Sequence, residues 1–588
     1  MAKRTDAMHV ATVKSRYVGK SGQERVYESH LLRRTFREDG KVKHETLANL
    51  SALPDEQIEL VRRSLKGEAF VPADAASRVL RSLPHGHVAA VMTQARALGM
   101  PQLLGPAGRQ RDLALALVVS RVVRPRTKLS TLSWWPDSTL GVDLDLTDTS
   151  TDEVYAAMDW LLTRQQAIEA KLARRHLQND DNAHRMALFD LSSSWVEGRH
   201  CPLAARGYSR DGKKGKLQIE YGLLTDPAGR PVAVRVFAGN TGDPAAFIEA
   251  VSVVRDTFGL RQMVMVGDRG MITSARIDTL RELPAEDGFG WLTCLRAPAI
   301  AALAADDGPL QMSLFDQQDV AEIHHPDYPG ERLVACRNPI LATERARKRA
   351  DLLDATDNLL APTLTAVAEG RLTGAAAIGL RVGKLINKYK MAKHLDVAIT
   401  DTTLTITRRQ ASIDAETALD GIYVIRTSVP PDQLDAAGVV TAYKNLSHVE
   451  RDFRTIKVDD LDLRPIHHRL EDRVKAHVLI CMLAAYLVWH LRQAWAELTY
   501  TDEHPPTRDN PVAPAQRSSH AARKASRHRD EHDQPLRGFR GLLDHLATLT
   551  RNDIQHGDHA VVPTLTIPTP TQRRAFELLG TTVPLSLA

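Results

Sequence analysis

Three carboxylates, Asp190, Asp268 and Glu450, carry the chemistry that this 588-residue chain could do. The first two are each expected just past a short apolar strand, at 185–189 and 262–266, where side chains emerge at a sheet edge and ligand sites of α/β folds commonly lie. A serine-rich turn, 191–194, is expected after Asp190. The third acid is expected on a helix spanning 441–457. Two aspartates and a glutamate make an oxygen-only set suited to Mg²⁺ or Mn²⁺, not to zinc or copper. Two such ions, roughly 3.5–4 Å apart, can activate a water or a 3′-hydroxyl and stabilise the leaving oxygen of a phosphodiester. Each acid also has an ordinary use. Asp190 suits a cap for the following turn, Asp268 a Gly-Asp-Arg-Gly turn, and Glu450 an exposed i,i+4 pair with Arg454.

The helix that must present Glu450 has two faces. At 100° per residue, Tyr443, Leu446, Arg454 and Lys457 fall within about 40° of Glu450. Ala442, Val449, Phe453 and Ile456 form a second stripe that faces a core. On this geometry Lys457 points into the same cleft as the glutamate. A basic glycine loop (Arg210, Lys213, Lys214 and Lys216) and Arg269 are placed to neutralise phosphates, so binding to a polyanion is expected to weaken with salt. The ordinary alternative for the loop is an exposed hairpin tip.

The chain is too long for one core, and roughly three to five units are expected. Residues 1–75 read as a β-rich unit with a turn at 38–40, closed by a helix from Asp55, and carry Lys14, Arg16, Lys20, Arg33, Arg34, Lys41 and Lys43. They are a DNA-binding candidate or solvated strand faces. Residues 76–184 read as helical (88–98, 112–123 and 151–177), either scaffold or part of a DNA-binding surface. From 185 to 297 the order is three strands, helix, strand, helix, strand, which is a mixed α/β sheet. Residues 298–424 read as an insertion with a cationic helix at 342–353 and a strand pair near 397–408. The Glu450 region and a long apolar helix come next (425–500), then a segment of disordered-linker composition (501–535). A tail, 536–588, has two short helical stretches.

Apolar content of 43%, charged content of 25% and a net charge of +5 describe a soluble globular protein able to take a polyanionic partner. The four scattered cysteines suggest neither a disulfide framework nor a zinc site, and a reducing cytoplasm fits. The N-terminus lacks a signal-type apolar run. The most apolar stretch, 478–489, falls well short of the roughly twenty residues that span a membrane and reads as a core helix. An intracellular protein with no membrane partner is expected.

The sequence around the acids resembles the DDE transposases of bacterial insertion sequences, of the cut-and-paste type. The resemblance rests on ALFDLSSSWVEG around Asp190 and on GYSRDGKKGKLQIEYGLLTDPAGRPVAVRVFAGNTGD between the aspartates. It continues through VMVGDRGMIT around Asp268 and AYKNLSHVERDFRTIKVDDLDLRPIHHR around Glu450. It implies a ribonuclease-H-like mixed sheet flanked by helices, with 185–297 and 425–500 as the two parts of a core split by an α+β insertion. Asp190, Asp268 and Glu450 would be catalytic and hold two Mg²⁺ or Mn²⁺ ions. Tyr443 and Lys457 would contact phosphates of double-stranded DNA, and Arg464 also matches a family position. In the family's Tyr-x2-Arg-x3-Glu-x6-Lys signature this chain carries Leu446 where arginine is expected. Arg454 and Lys444 are candidates to replace it, with Arg451 a further DNA contact on the same helix.

The activity implied is binding of an element's inverted terminal repeats, strand cleavage and strand transfer by a cytoplasmic homodimer. Two rivals are a non-catalytic DNA-binding derivative of such an enzyme and a metal-dependent nuclease or phosphatase that never joins strands.

Overall fold

Long alternating strands open the chain: β1 (Ala7–Val18), β2 (Glu24–Glu38) and β3 (Lys41–Asn49) form an antiparallel sheet in the order β1-β2-β3. Pro54 introduces α1 (Asp55–Leu65), whose Asp55 and Glu56 in the first turn and Arg62 and Arg63 in the last match the helix dipole. The computed structural model describes residues 7–18, 24–38, 41–68, 77–179, 184–260, 262–282, 289–305, 308–508, 510–556 and 561–587. Lys20 and the turn residues Asp39 and Gly40 lie outside these. Several of the basic residues read as DNA-contact candidates sit in exposed ion pairs, Lys14–Glu28 at 3.5 Å, Arg16–Glu24 at 3.4 Å and Arg34–Glu45 at 2.8 Å. Two compact units emerge: 1–82 with 552–564, and 83–551 with 565–588.

The second unit begins with helices. Among them are Gly86–Ala97, α2 (Arg109–Val123), α3 (Thr151–Thr163) and Gln165–His176. Ser150 and Glu153 form a capping box that starts α3. The helix expected over 151–177 breaks at Arg164, whose Nε donates to the Leu104 carbonyl at 2.7 Å.

An eight-stranded mixed sheet comes next: β4 (Met186–Trp195), β5 (Gln218–Thr225), β6 (Pro231–Ala238), β7 (Val264–Gly267), β8 (Gly290–Cys294), β9 (Val320–Ile323), β10 (Arg332–Arg337) and β11 (Ile422–Thr427). Their spatial order is β9-β10-β11-β8-β7-β4-β5-β6. β4 pairs antiparallel with β5 and parallel with β7, which pairs parallel with β8. Helix α4 (Asp243–Ser252) packs on β4. Strand β4 does not end at Asp190: the serines expected in a turn continue it, with Ser193 opposite Glu220 and Ser194 opposite Ile219. Antiparallel pairing with β5 holds them extended where composition alone suggested a turn.

The segment 298–424 divides between two cores. β9 and β10 extend the sheet through β11. Ile300, Leu303, Leu310 and Phe315 pack with these strands, whereas residues 352–413 build a core of their own around Leu353, Leu360, Val367, Ile378, Val382 and Leu395. Its main element is α5 (Pro339–Ala368), thirty residues where a shorter helix was expected. Asn338 caps it, accepting from the Ile340 and Leu341 amides at 3.1 Å each.

Further on lie α6 (Ala436–Lys444), α7 (Leu446–Arg454) and α8 (Glu471–Ala494). Helix α8 is long and apolar enough to cross a membrane by composition, but 83% of its apolar window is buried, against α2, α3 and β6. In the segment expected to be a disordered linker, 501–535, the described residues instead include the helix Ser519–Arg527. Its polar residues find internal partners. The buried Lys524 ammonium donates to Ala496 O at 2.9 Å and to Glu503 Oε1 at 2.6 Å, and Val512 is fully buried.

Candidate active site

Asp190 owes its position to its neighbour. The parallel strand β7 ends at Gly267, opposite Phe189, so Asp190 is the first residue of β4 beyond its partner's end. On its other side β5 continues past it, with Leu223 opposite. Its Oδ1 accepts the Leu191 amide at 2.7 Å. Asp268 opens the turn after β7, its carbonyl accepting from Met271 and Ile272. The two aspartates therefore leave adjacent parallel strands at one edge.

Glu450 comes from α7. The single helix expected over 441–457 is broken at Asn445 and ends in a π-helical turn, Thr455–Asp459. The apolar stripe holds: Ala442, Val449, Phe453 and Ile456 are all buried. The polar stripe divides: Lys457 falls in the π turn, which winds more residues per turn and rotates it away from its α-helical position, while Arg454, the last residue of α7, is exposed. Tyr443, Leu446 and Glu450 line one cavity with Asp190 and Asp268, about 450 Å³ in volume, whereas Arg454 and Lys457 do not line it. No Glu450–Arg454 ion pair forms among the described residues.

Burial pushes the Asp190 carboxyl up to about 7, with the Leu191 amide and Arg210 opposing and the charges of Asp268 and Glu450 adding to the rise. Asp190 thus feels the charge of both other acids. Among the described residues, however, no group of three His, Cys, Asp or Glu side chains is spaced to hold a metal ion. Tyr443 is largely buried, and burial raises its hydroxyl; it lies against Cys294 and near Asp268.

The basic side chains expected on DNA are partly committed internally. Lys457 Nζ pairs with Asp211 at 2.9 Å, and Arg464 pairs with the same carboxylate oxygen. Burial lowers the Lys457 ammonium, with Asp211 opposing. The Arg464 guanidinium also lies over the Trp195 ring at 5.1 Å, and Lys213 lies over it at 5.4 Å. Arg210 pairs with Asp243 at 2.5 Å and with the buried Glu220 at 3.2 Å. Burial first, with Arg210 opposing, holds Glu220 up to about 7. Lys216 pairs with Glu197 at 3.4 Å. Lys444 lines the acid cavity, but its ammonium donates to Pro511 O and Val512 O. Arg269 lines the cavity and is exposed, while Lys214, Arg451 and Arg454 are exposed outside it.

Asn338, Leu341 and Arg345 of α5 and its cap, together with Tyr423 of β11 and Cys294 of β8, complete the wall. None was singled out from sequence. The Asn-Pro pair at 338–339 signals a helix start, but nothing local ties that helix to acids far away in sequence on either side.

The family profile described as "Transposase DDE domain" matches residues 192–487, just over half of the chain. It begins two residues after Asp190 and includes Asp268 and Glu450. A second, "IS1634 family transposase, N-terminal domain", matches residues 16–76. No curated protein matches the chain. Among solved structures, the cryo-EM structure of the piggyBac transposase synaptic complex with hairpin DNA is similar at 9% identity and a TM-score of 0.32, over 79% of this chain and 76% of that one. That score is too low to bear on the fold.

Proposed function

The chain belongs to the DDE transposases of insertion sequences, and on that footing we propose that it binds the inverted terminal repeats of its own element, cuts a strand at each end and joins the freed end to new DNA. The carrying observation is that Asp190, Asp268 and Glu450, widely dispersed along the chain, line one cavity. Strands β6-β5-β4 form an antiparallel meander, with β7 and β8 added parallel to β4. An acid on the first strand and another after the fourth support a ribonuclease-H-like reading of this part of the sheet.

A carboxylate-only set fits Mg²⁺ or Mn²⁺; burial first, and the charges of Asp268 and Glu450 after it, raise the Asp190 carboxyl, and a divalent cation would offset both. Asp190, Asp268 and Glu450 would hold it. When bound it would supply activation of the attacking oxygen and stabilisation of the leaving one. The chain's own contribution is positioning. The parallel strands fix the aspartates, α7 fixes Glu450 through its buried stripe, and the cations around the cavity receive the flanking phosphates. Pairing two ends calls for two such sites, hence a homodimer.

Supercoiled DNA carrying the element's ends, incubated with the protein and Mg²⁺ or Mn²⁺, provides the test. Wild type gives cleaved ends and joined products, and Asp190→Ala, Asp268→Ala and Glu450→Ala give neither. Cleavage surviving in the three variants sinks the assignment. Hydrolysis without any joined product reduces the protein to a nuclease, and end binding without metal-dependent cutting reduces it to a DNA-binding protein.

A further inference from the structure

The acid cavity presents three cations, Arg269, Arg345 and Lys444, to whatever enters it. A DNA strand reaching three carboxylates brings more negative charge with it, so at least one cation must be free to take a phosphate. Lys444 is occupied by two backbone carbonyls. Arg269 comes directly after Asp268 in the turn, and its charge is felt by Tyr443 and Cys294.

Arg345 differs from Lys444 in lacking a firm partner, and from Arg269 in coming from the inserted helix and not from the Asp268 turn. It projects from the second turn of α5, on the wall formed with Asn338 and Leu341, and its side chain is exposed. Among the described residues its side chain makes one hydrogen bond, a long 3.5 Å contact to the Ile422 carbonyl, and no ion pair. Other arginines of the same helix are committed: Arg347 to Asp351 at 3.4 Å, and the buried Arg349 to Asp420 and, at 2.8 Å, to Thr417. Arg345 also lines a neighbouring cavity of about 640 Å³, together with Lys348 one turn further along the helix. Arg345 thus borders both cavities and has no carboxylate partner among the described residues, and its planar guanidinium suits bidentate binding of a phosphodiester.

Resting on the function proposed above, we propose that Arg345 is a phosphate-binding residue of the active site. It takes a phosphodiester of the DNA strand next to the cut and supplies, from the inserted helix, the guanidinium that α7 lacks at Leu446. Neither cation considered from the sequence fills this role: Arg454 is outside the cavity, and Lys444 is tied down.

The test uses full-length protein with duplex ends in which single phosphates around the cut are replaced, one at a time, by neutral methylphosphonates. Arg345→Gln should lower cleavage and end binding roughly ten- to a hundredfold, the loss of one charge-assisted contact, and flatten the salt dependence of binding by about one counterion. Arg345→Lys should keep the charge and the salt slope but lose part of the cleavage rate. Arg347→Gln, two residues away, should leave both unchanged. At one phosphate position, neutralisation should weaken wild type but cost Arg345→Gln nothing further. Thermal unfolding should not move, since the side chain is exposed. The proposal is overturned if Arg345→Gln cuts and binds as Arg347→Gln does, or if every neutralised phosphate costs the variant as much as wild type. Wild type failing to cut at all sinks the transposase reading itself, a different result from wild type cutting and Arg345→Gln matching it.

Discussion

Replacing Asp190 by asparagine should make the metal-free protein more stable while abolishing cleavage. Burial and the charges of Asp268 and Glu450 raise the Asp190 carboxyl from 3.8 to about 7. A folded-state value above the unfolded one means that the folded chain holds the proton more tightly. The stability this confers is fully present below about pH 4 and is lost as pH rises through 7. Over that window the loss is roughly 4 kcal/mol, at about 1.4 kcal/mol per pKa unit. Water entering from the cavity side reduces this to roughly 2–4 kcal/mol. Asparagine keeps the oxygen that accepts the Leu191 amide at 2.7 Å and cannot ionise. The variant's advantage should therefore be near zero at pH 4 and reach its maximum above pH 7.

The assay is thermal unfolding in EDTA, wild type against Asp190→Asn, from pH 4 to pH 8. A unit this large should shift by about 2 °C or less per kcal/mol, so a gap of several degrees is expected at pH 8. Adding Mg²⁺ or Mn²⁺ should raise the wild-type midpoint and narrow the gap, because a ligand that binds only the folded state stabilises it. Curves that run parallel across the whole pH range would falsify the claim that burial, with the neighbouring acids, holds the Asp190 carboxyl up in this site.

Asp211→Asn leaves the buried Lys457 and the partly buried Arg464 without their shared carboxylate, and loss of about 3 kcal/mol should appear as a lowered unfolding midpoint. An unchanged midpoint would mean that the two cations are solvated in solution. Gly222→Ala puts a methyl group into the Phe189 ring one residue from Asp190, and roughly 1–3 kcal/mol of overpacking should result, read by the same scan. Lys524→Met removes the ammonium that ties Ala496, Thr501 and Glu503 together. Limited proteolysis should then cut within 501–535 faster than in wild type, and equal cutting rates would show the segment to be loose already.

Sequence by itself determined the acids, the strand–helix alternation and the buried stripe of the Glu450 helix. Those signals are local: Asp190 and Asp268 come after apolar runs, and Ala442, Val449, Phe453 and Ile456 recur at helical spacing whatever packs on them. The resemblance around the acids added the family. Tertiary structure decided the rest, because it depends on groups far apart in the chain. Asp190 looked like a strand end; it lies within β4, and the edge it occupies is made by β7 stopping at Gly267. The sequence shows Lys457 one heptad from Glu450, but a π-helical turn and the Asp211 carboxylate draw it elsewhere. Residues 501–535 have the composition of a solvated linker, yet Lys524 and Glu503 satisfy each other in the interior. Composition counts charges; only the fold determines which of them find a partner out of water, and which, like Arg345, line a cavity without being paired to a carboxylate among the described residues.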